Sequence, residues 1–130
     1  MSDPDVVGHD PDPVHALAYV STPTVPFSDR DLSDLLLAAR RWNVRHAVTG
    51  KLVVLEDDGR LVRFAQWIEG PRSEIEAGVR RILADPRHGE FDVRRRGPVE
   101  ARRFPGWDMA IEPAPPAAFG DRAERLVSTG

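Results

Sequence analysis

The chain has 130 residues, 41% of them hydrophobic and 30% charged, enough for one buried core and too few for two. A net charge of -3, with basic residues interleaved among acids, disfavours nucleic acid as a partner. The absence of cysteine excludes disulfides, thiolate metal sites and cysteine nucleophiles, and no apolar run reaches membrane-spanning length.

Residues 1–13, "MSDPDVVGHDPDP", are rich in proline and aspartate, lack an apolar period and read as a disordered arm. They have neither the basic start nor the apolar stretch of a signal peptide, so a cytoplasmic location is the default expectation. The foldable domain is expected over 14–112. "VHALAYV" sets His15, Leu17 and Tyr19 against Val14, Ala16, Ala18 and Val20, a strand that is apolar on both faces and therefore central. After the proline-punctuated "STPTVPF", Ser28 is placed to cap a helix running from Asp29 to Trp42. The helix buries Leu32, Leu35, Leu36 and Ala39. At 100° per residue Asn43 returns to that same inward stripe.

"TGKLVVLEDDGRLVRFAQWIEG" predicts two strands joined at "EDDG", with Leu52 and Val54 on one face of the first and Val62, Phe64, Gln66 and Ile68 on one face of the second. "SEIE" then predicts a capping box, Ser73 with Glu76, for a second helix whose apolar face is Ile75, Val79, Ile82 and Leu83 and which stops at Pro86. Gly78 leaves room beside that stripe for something to approach, flanked by Arg81 and Asp85 one turn apart. "FDVRRR" and "GWDMAI" predict two more strands, with Trp107, Met109 and Ile111 sharing a face. The tail 113–130 offers a short amphipathic turn or two. The order of elements fits an α+β, ferredoxin-like βαββαβ sheet with an added fifth strand and two helices on one face.

In that arrangement Tyr19, Asn43 and Gln66 all point between sheet and helices. Buried polar groups left unpaired cost about 1–3 kcal/mol each, so the three must bond one another, the backbone or a bound polar ring. Arg81 with Asp85 has, by spacing alone, the reading of a solvated helical pair, His88 that of a surface residue, and Trp107 and Met109 that of core packing. Histidines and carboxylates show no metal-ligand spacing, and no metal is expected.

Five ordered motifs, "LAYVS", "ARRWNVRHAVTG", "FAQWIEGP", "RILADPRH" and "RRFPGWDMAI", together resemble the BLUF domain, a family of blue-light sensors using flavin. The resemblance covers Val14 to Ile111. It implies a short, stand-alone photoreceptor, not an enzyme, that binds FAD or FMN and signals by hydrogen-bond rearrangement to a downstream regulatory protein. It further implies that Tyr19 donates an electron and proton, that Gln66 bridges Tyr19 to the flavin edge and switches, and that Asn43 holds the ring's C4 carbonyl and N3 edge. Arg81, fixed by Asp85, would hold the C2 side, Arg87 and His88 would lie near the ribityl or phosphate end, and Trp107 and Met109 would exchange places or bonds as the signal leaves.

The chain departs from the family at Ala39, commonly serine, at Trp42, usually asparagine or histidine, and in a longer hairpin. Trp42 either stacks against the ring or fills the mouth of the pocket, and the second case makes the protein a flavin-free, BLUF-like interaction module. The short tail is expected to leave Val14, Ala16, Ala18, Val20, Ala65 and Trp67 partly bare, a surface suited to a homo-oligomer or partner.

Overall fold

The computed structural model describes residues 14–24, 28–86 and 88–128. The arm expected over 1–13 lies outside these, as does Arg87, and of His88 only the backbone is described. The elements are β1 (Val14–Pro23), α1 (Asp29–Arg45), β2 (Thr49–Asp57), β3 (Arg60–Pro71), α2 (Arg72–Ala84), β4 (His88–Pro98), β5 (Ala110–Ala114) and α3 (Pro116–Val127). They form one five-stranded sheet in the order β4-β1-β3-β2-β5, antiparallel except for the parallel β2–β5 pair. This is the ferredoxin-like sheet with its added strand. Among the described residues no helix is long and apolar enough to cross a membrane.

Ser28 caps α1 as its sequence predicts: its hydroxyl accepts from the Asp31 N–H at 3.1 Å and Asp31 Oδ2 accepts from the Ser28 N–H at 2.9 Å. The helix continues one turn past Trp42, to Arg45, and ends where Ala47 takes a left-handed φ of 57°. Asn43 is therefore held inside regular helix. The hairpin turns at Asp58 and Gly59, both with positive φ, the conformation that an Asp-Gly pair tolerates best.

Three local expectations change. A bulge that sets Leu55 opposite Arg63 but Glu56 opposite Leu61 reverses the facing at the tip, so Leu61, not Val62, enters the core. The α2 N-cap is Pro71, with no side-chain cap, because the helix begins at Arg72 and encloses Ser73; the expected Ser73–Glu76 capping box is not used. Leu83 is 57% exposed, on the outer flank of the stripe formed by Ile75, Val79 and Ile82.

Where length and composition predict a single core, the two sheet faces each bury one, because a helix covers either side of the sheet. One packs Leu17, Tyr19, Leu52, Val54, Phe64 and Ile68 beneath α1 and α2. The other buries Ala16, Ala18, Val20, Ala65 and Trp67 beneath Phe119, Ala123, Leu126 and Val127. The tail is thus a full helix, opened by a favourable proline at its first position, and its four apolar residues recur on one face. The sheet face expected to lie partly bare is covered by the chain itself, which removes the observation behind the oligomer expectation.

Candidate functional site

Between the sheet and the α1–α2 layer lies a cavity of about 290 Å³. Small-molecule sites start near this size, at roughly 300 Å³. Tyr19, Asn43, Gln66, Arg81, Asp85, Trp42 and Met109 all line it. Residues far apart in sequence are gathered there by two periodicities: strand alternation points Tyr19 and Gln66 to one face, and helix rotation brings Asn43 and Arg81 toward them.

Tyr19 and Gln66 are ladder partners on β1 and β3, and the phenol donates to Gln66 Oε1. The Tyr19 ring also packs against Phe91, 5.4 Å between centroids. Burial pushes the phenol's pKa well above its ordinary value; the Arg81 guanidinium works against this and Asp85 with it. Among the described residues Gln66 Nε2 has only a weak acceptor, Met109 Sδ at 3.5 Å. Asn43, 2% exposed, donates from Nδ2 to the Asp108 carbonyl at 2.5 Å, which fixes its amide orientation. Among the described residues no hydrogen bond reaches its Oδ1. The three inward polar groups therefore bond partly to one another and partly to the backbone, and still leave a donor and an acceptor to spare.

Trp42 lines the cavity. Its indole edge meets the Gly78 position, where an added Cβ would lie 3.5 Å from Cη2, and Arg81 lies over its face at 4.7 Å from the centroid. What approaches Gly78 is this indole. On the other side it stacks on His46, 4.1 Å between centroids, whose Nδ1 meets Glu74 Oε1 of α2 at 2.8 Å. Burial lowers the Arg81 pKa, opposed by the nearby Tyr19 and Asp85.

The structure separates Trp107 from Met109. Met109 is buried at the cavity, whereas Trp107 is 48% exposed and stacks on Phe104 at 5.3 Å. Strand β5 begins only at Ala110, so the alternation expected to pair them does not apply to 107–109. That segment is held by the chain around it: Gly50 N–H donates to the Trp107 carbonyl at 2.9 Å, and Arg40 Nε to that of Met109 at 3.0 Å. Arg40 carried no signal beyond its charge and was not anticipated. Nor was Glu69, a fully buried carboxylate, although an acid at the same parity as Ala65 and Trp67 in an apolar strand marks an inward charge.

Comparison with known proteins agrees with this geometry. The family model for BLUF, "Sensors of blue-light using FAD", matches residues 14–110. The photoactivated adenylate cyclase subunit beta of Euglena gracilis is 32% identical over 94 residues, 72% of this chain. The chain spans about a tenth of the length of such curated relatives. The dark-state structure of BlrB, a BLUF protein, superposes with a TM-score of 0.71 at 37% identity, covering 78% of this chain and 74% of that one. Klebsiella pneumoniae BlrP1 with FMN and cyclic diGMP gives 0.66 at 25% identity, covering 87% and 30%. The chain belongs to the BLUF family of blue-light sensors, whose cofactor is a flavin.

Proposed function

We propose that the cavity between Tyr19, Asn43, Gln66 and Arg81 holds the flavin ring and that this chain passes the light signal to a downstream regulatory protein through Gln66, Met109 and the segment 107–109. The observation that carries the reading is the set of polar atoms left over at one wall. Asn43 Oδ1 is an acceptor without a partner among the described residues, Gln66 Nε2 a donor with only sulfur to bond, and Arg81 a donor group stacked on an indole. A ring edge that alternates carbonyl and N–H groups meets all three needs, which a purely apolar ligand would not.

When bound, the flavin supplies absorption of blue light and an electron-accepting excited state. The chain's own contribution is a proton held on Tyr19 Oη, a short path to Gln66, and an amide able to donate from one end and accept at the other. Turning or tautomerising Gln66 exchanges those ends. Its contact with Met109 Sδ then changes, and Met109 is joined directly to the main chain that Asn43 and Arg40 grip. Asp85 acts on Tyr19 and Arg81 through its charge. The placement of Arg87 and His88 near the ribityl or phosphate end rests on the resemblance of "RILADPRH" alone, and a Trp107 exchange with Met109 would require the exposed indole to turn inward. Trp42 offers its edge to the cavity wall as a packing surface for the ring. The module signals without chemistry of its own on a substrate.

A visible spectrum of the purified protein tests the reading. A flavin band that moves reversibly to the red under blue light is expected. A colourless protein that refuses added FAD and FMN would overturn it.

A further inference from the structure

On the sheet face opposite the cavity, Glu69 is 0% exposed and plays no part in the light response described above. Its carboxylate accepts four hydrogen bonds. Oε1 takes the Trp67 indole N–H and the Arg103 main-chain N–H, both at 2.8 Å. Oε2 takes the Phe104 main-chain N–H at 2.7 Å and the Thr49 hydroxyl at 3.2 Å. Burying a charge so completely is unfavourable unless donors surround it, and two consecutive main-chain N–H groups aimed at one carboxylate make an anchor that a neutral side chain cannot replace.

The anchored residues lead straight to the cavity. Trp107 N–H donates to the Phe104 carbonyl at 3.1 Å, and the two rings stack. Beyond Trp107 the segment is gripped from the cavity side by Asn43, Arg40 and Gln66. Arg103 extends the anchor the other way: its guanidinium lies over Trp67 at 4.5 Å and donates to the Leu126 carbonyl at 2.6 Å, near the end of α3. The segment 103–109 thus has one pin on each face of the sheet.

We infer that Glu69 is a positioning residue for the light response. It fixes the root of 103–109, so that a change at Gln66 is taken up by 105–109 instead of by sliding of the whole segment, and it keeps Arg103 seated against the end of α3. The inference rests on the reading that Gln66 and Met109 change partners in the light.

The test uses flavin-loaded full-length chain. Glu69→Gln keeps the shape of the side chain but turns one terminal atom into a donor facing a donor, so one main-chain bond is lost. Flavin content is expected to match the unsubstituted protein, while dark recovery of the lit state changes about tenfold, a barrier difference of about 1.4 kcal/mol. Thr49→Val removes the 3.2 Å contact and the 2.9 Å bond that Arg102 donates to the same hydroxyl, but leaves both main-chain bonds to Glu69 and the 2.7 Å bond from Arg102 to the Ala47 carbonyl, and its recovery is expected to stay near that of the unsubstituted protein.

Hydrogen exchange on the unsubstituted protein supplies a readout independent of variant folding. Illumination should speed exchange at Trp107 and Met109 while Arg103 and Phe104 stay protected. Unaltered recovery in Glu69→Gln, recovery altered equally in Thr49→Val, or equal loss of protection at 103–104 would each overturn the inference while a normal red shift left the photoreceptor reading standing. A flavin-loaded protein with no light-induced shift would overturn both.

Discussion

Tyr19 and Gln66 face one another across the β1–β3 ladder, and the Tyr19 hydroxyl donates to the Gln66 side-chain carbonyl. Their closeness is set by backbone register, because directly opposed residues of an antiparallel pair carry their side chains on the same face at short range. Moving one strand by a single residue would turn either side chain to the α3 face. The contact between phenol and amide is therefore as firm as the sheet, while the amide itself remains free to turn.

Gln66→Leu and Tyr19→Phe should each abolish the light-induced red shift and leave flavin bound. The leucine also strips the buried Tyr19 hydroxyl of its acceptor, an effect of about 1–3 kcal/mol on stability. Difference spectra under blue light check the first outcome and thermal denaturation the second. A normal photocycle in either variant would remove the role assigned to that residue.

Tyr19 is the sole tyrosine, so ultraviolet titration of tyrosinate reports on this phenol alone. Burial raises its folded pKa, whereas the unfolded chain ionises near the ordinary value of about 10. The neutral phenol's contribution to stability is complete below that pH and is lost as alkali draws the unfolded form toward tyrosinate. Tyrosinate absorbance should accordingly appear together with unfolding and not before it.

Trp42→Asn should not increase flavin uptake, because the indole packs against Gly78, Arg81 and His46 at the edge of an open cavity. Loss of that packing is expected to lower stability by about 2 kcal/mol, somewhat less than for a fully buried tryptophan. Gly78→Ala should act in the opposite direction. Its new methyl would meet Trp42 and Ile68 side chains at 3.5 and 3.6 Å, ordinary contact distances, and a mid-helix alanine gains about 0.5–1 kcal/mol over glycine. Melting curves and flavin titrations of both variants decide the matter.

Phe119→Ala should destabilise the protein by about 3–5 kcal/mol, a large share of the 5–15 kcal/mol typical of a domain. Phe119 is buried in α3 over the second sheet face, so its loss opens the packing around Ala18, Ala65 and Trp67. Denaturant unfolding followed by tryptophan fluorescence, with light scattering to detect association, measures both the loss and any aggregation through the uncovered face. An unchanged midpoint would mean that α3 contributes little to the fold.

Much of this was open to a reader of the sequence, and for a definite reason. Alternation along β1 and β3 and the turn of α1 report which way a side chain faces, so Tyr19, Asn43 and Gln66 could be placed in one layer before any contact was known. The same logic failed where the backbone leaves its regular path. The bulge before Leu61 and the irregular run before Ala110 each break a period of two, which exchanged Val62 for Leu61 and parted Trp107 from Met109. The tail looked too short to matter because its proline-rich start hid a favourable helix opening.

The resemblance of five ordered motifs pointed to the family, and local pattern by itself determined the order of strands and helices along the chain and the inward facing of the phenol and the two amides, since each facing depends on residues near it in the chain. Only the tertiary structure decided whom those groups bond, that Trp42 stands beside the cavity, that α3 closes the second face, and that Glu69 gathers donors from Thr49, Trp67, Arg103 and Phe104. Those outcomes join segments remote in sequence, and a side chain's partners across such distances leave no periodic trace in the segment that carries it.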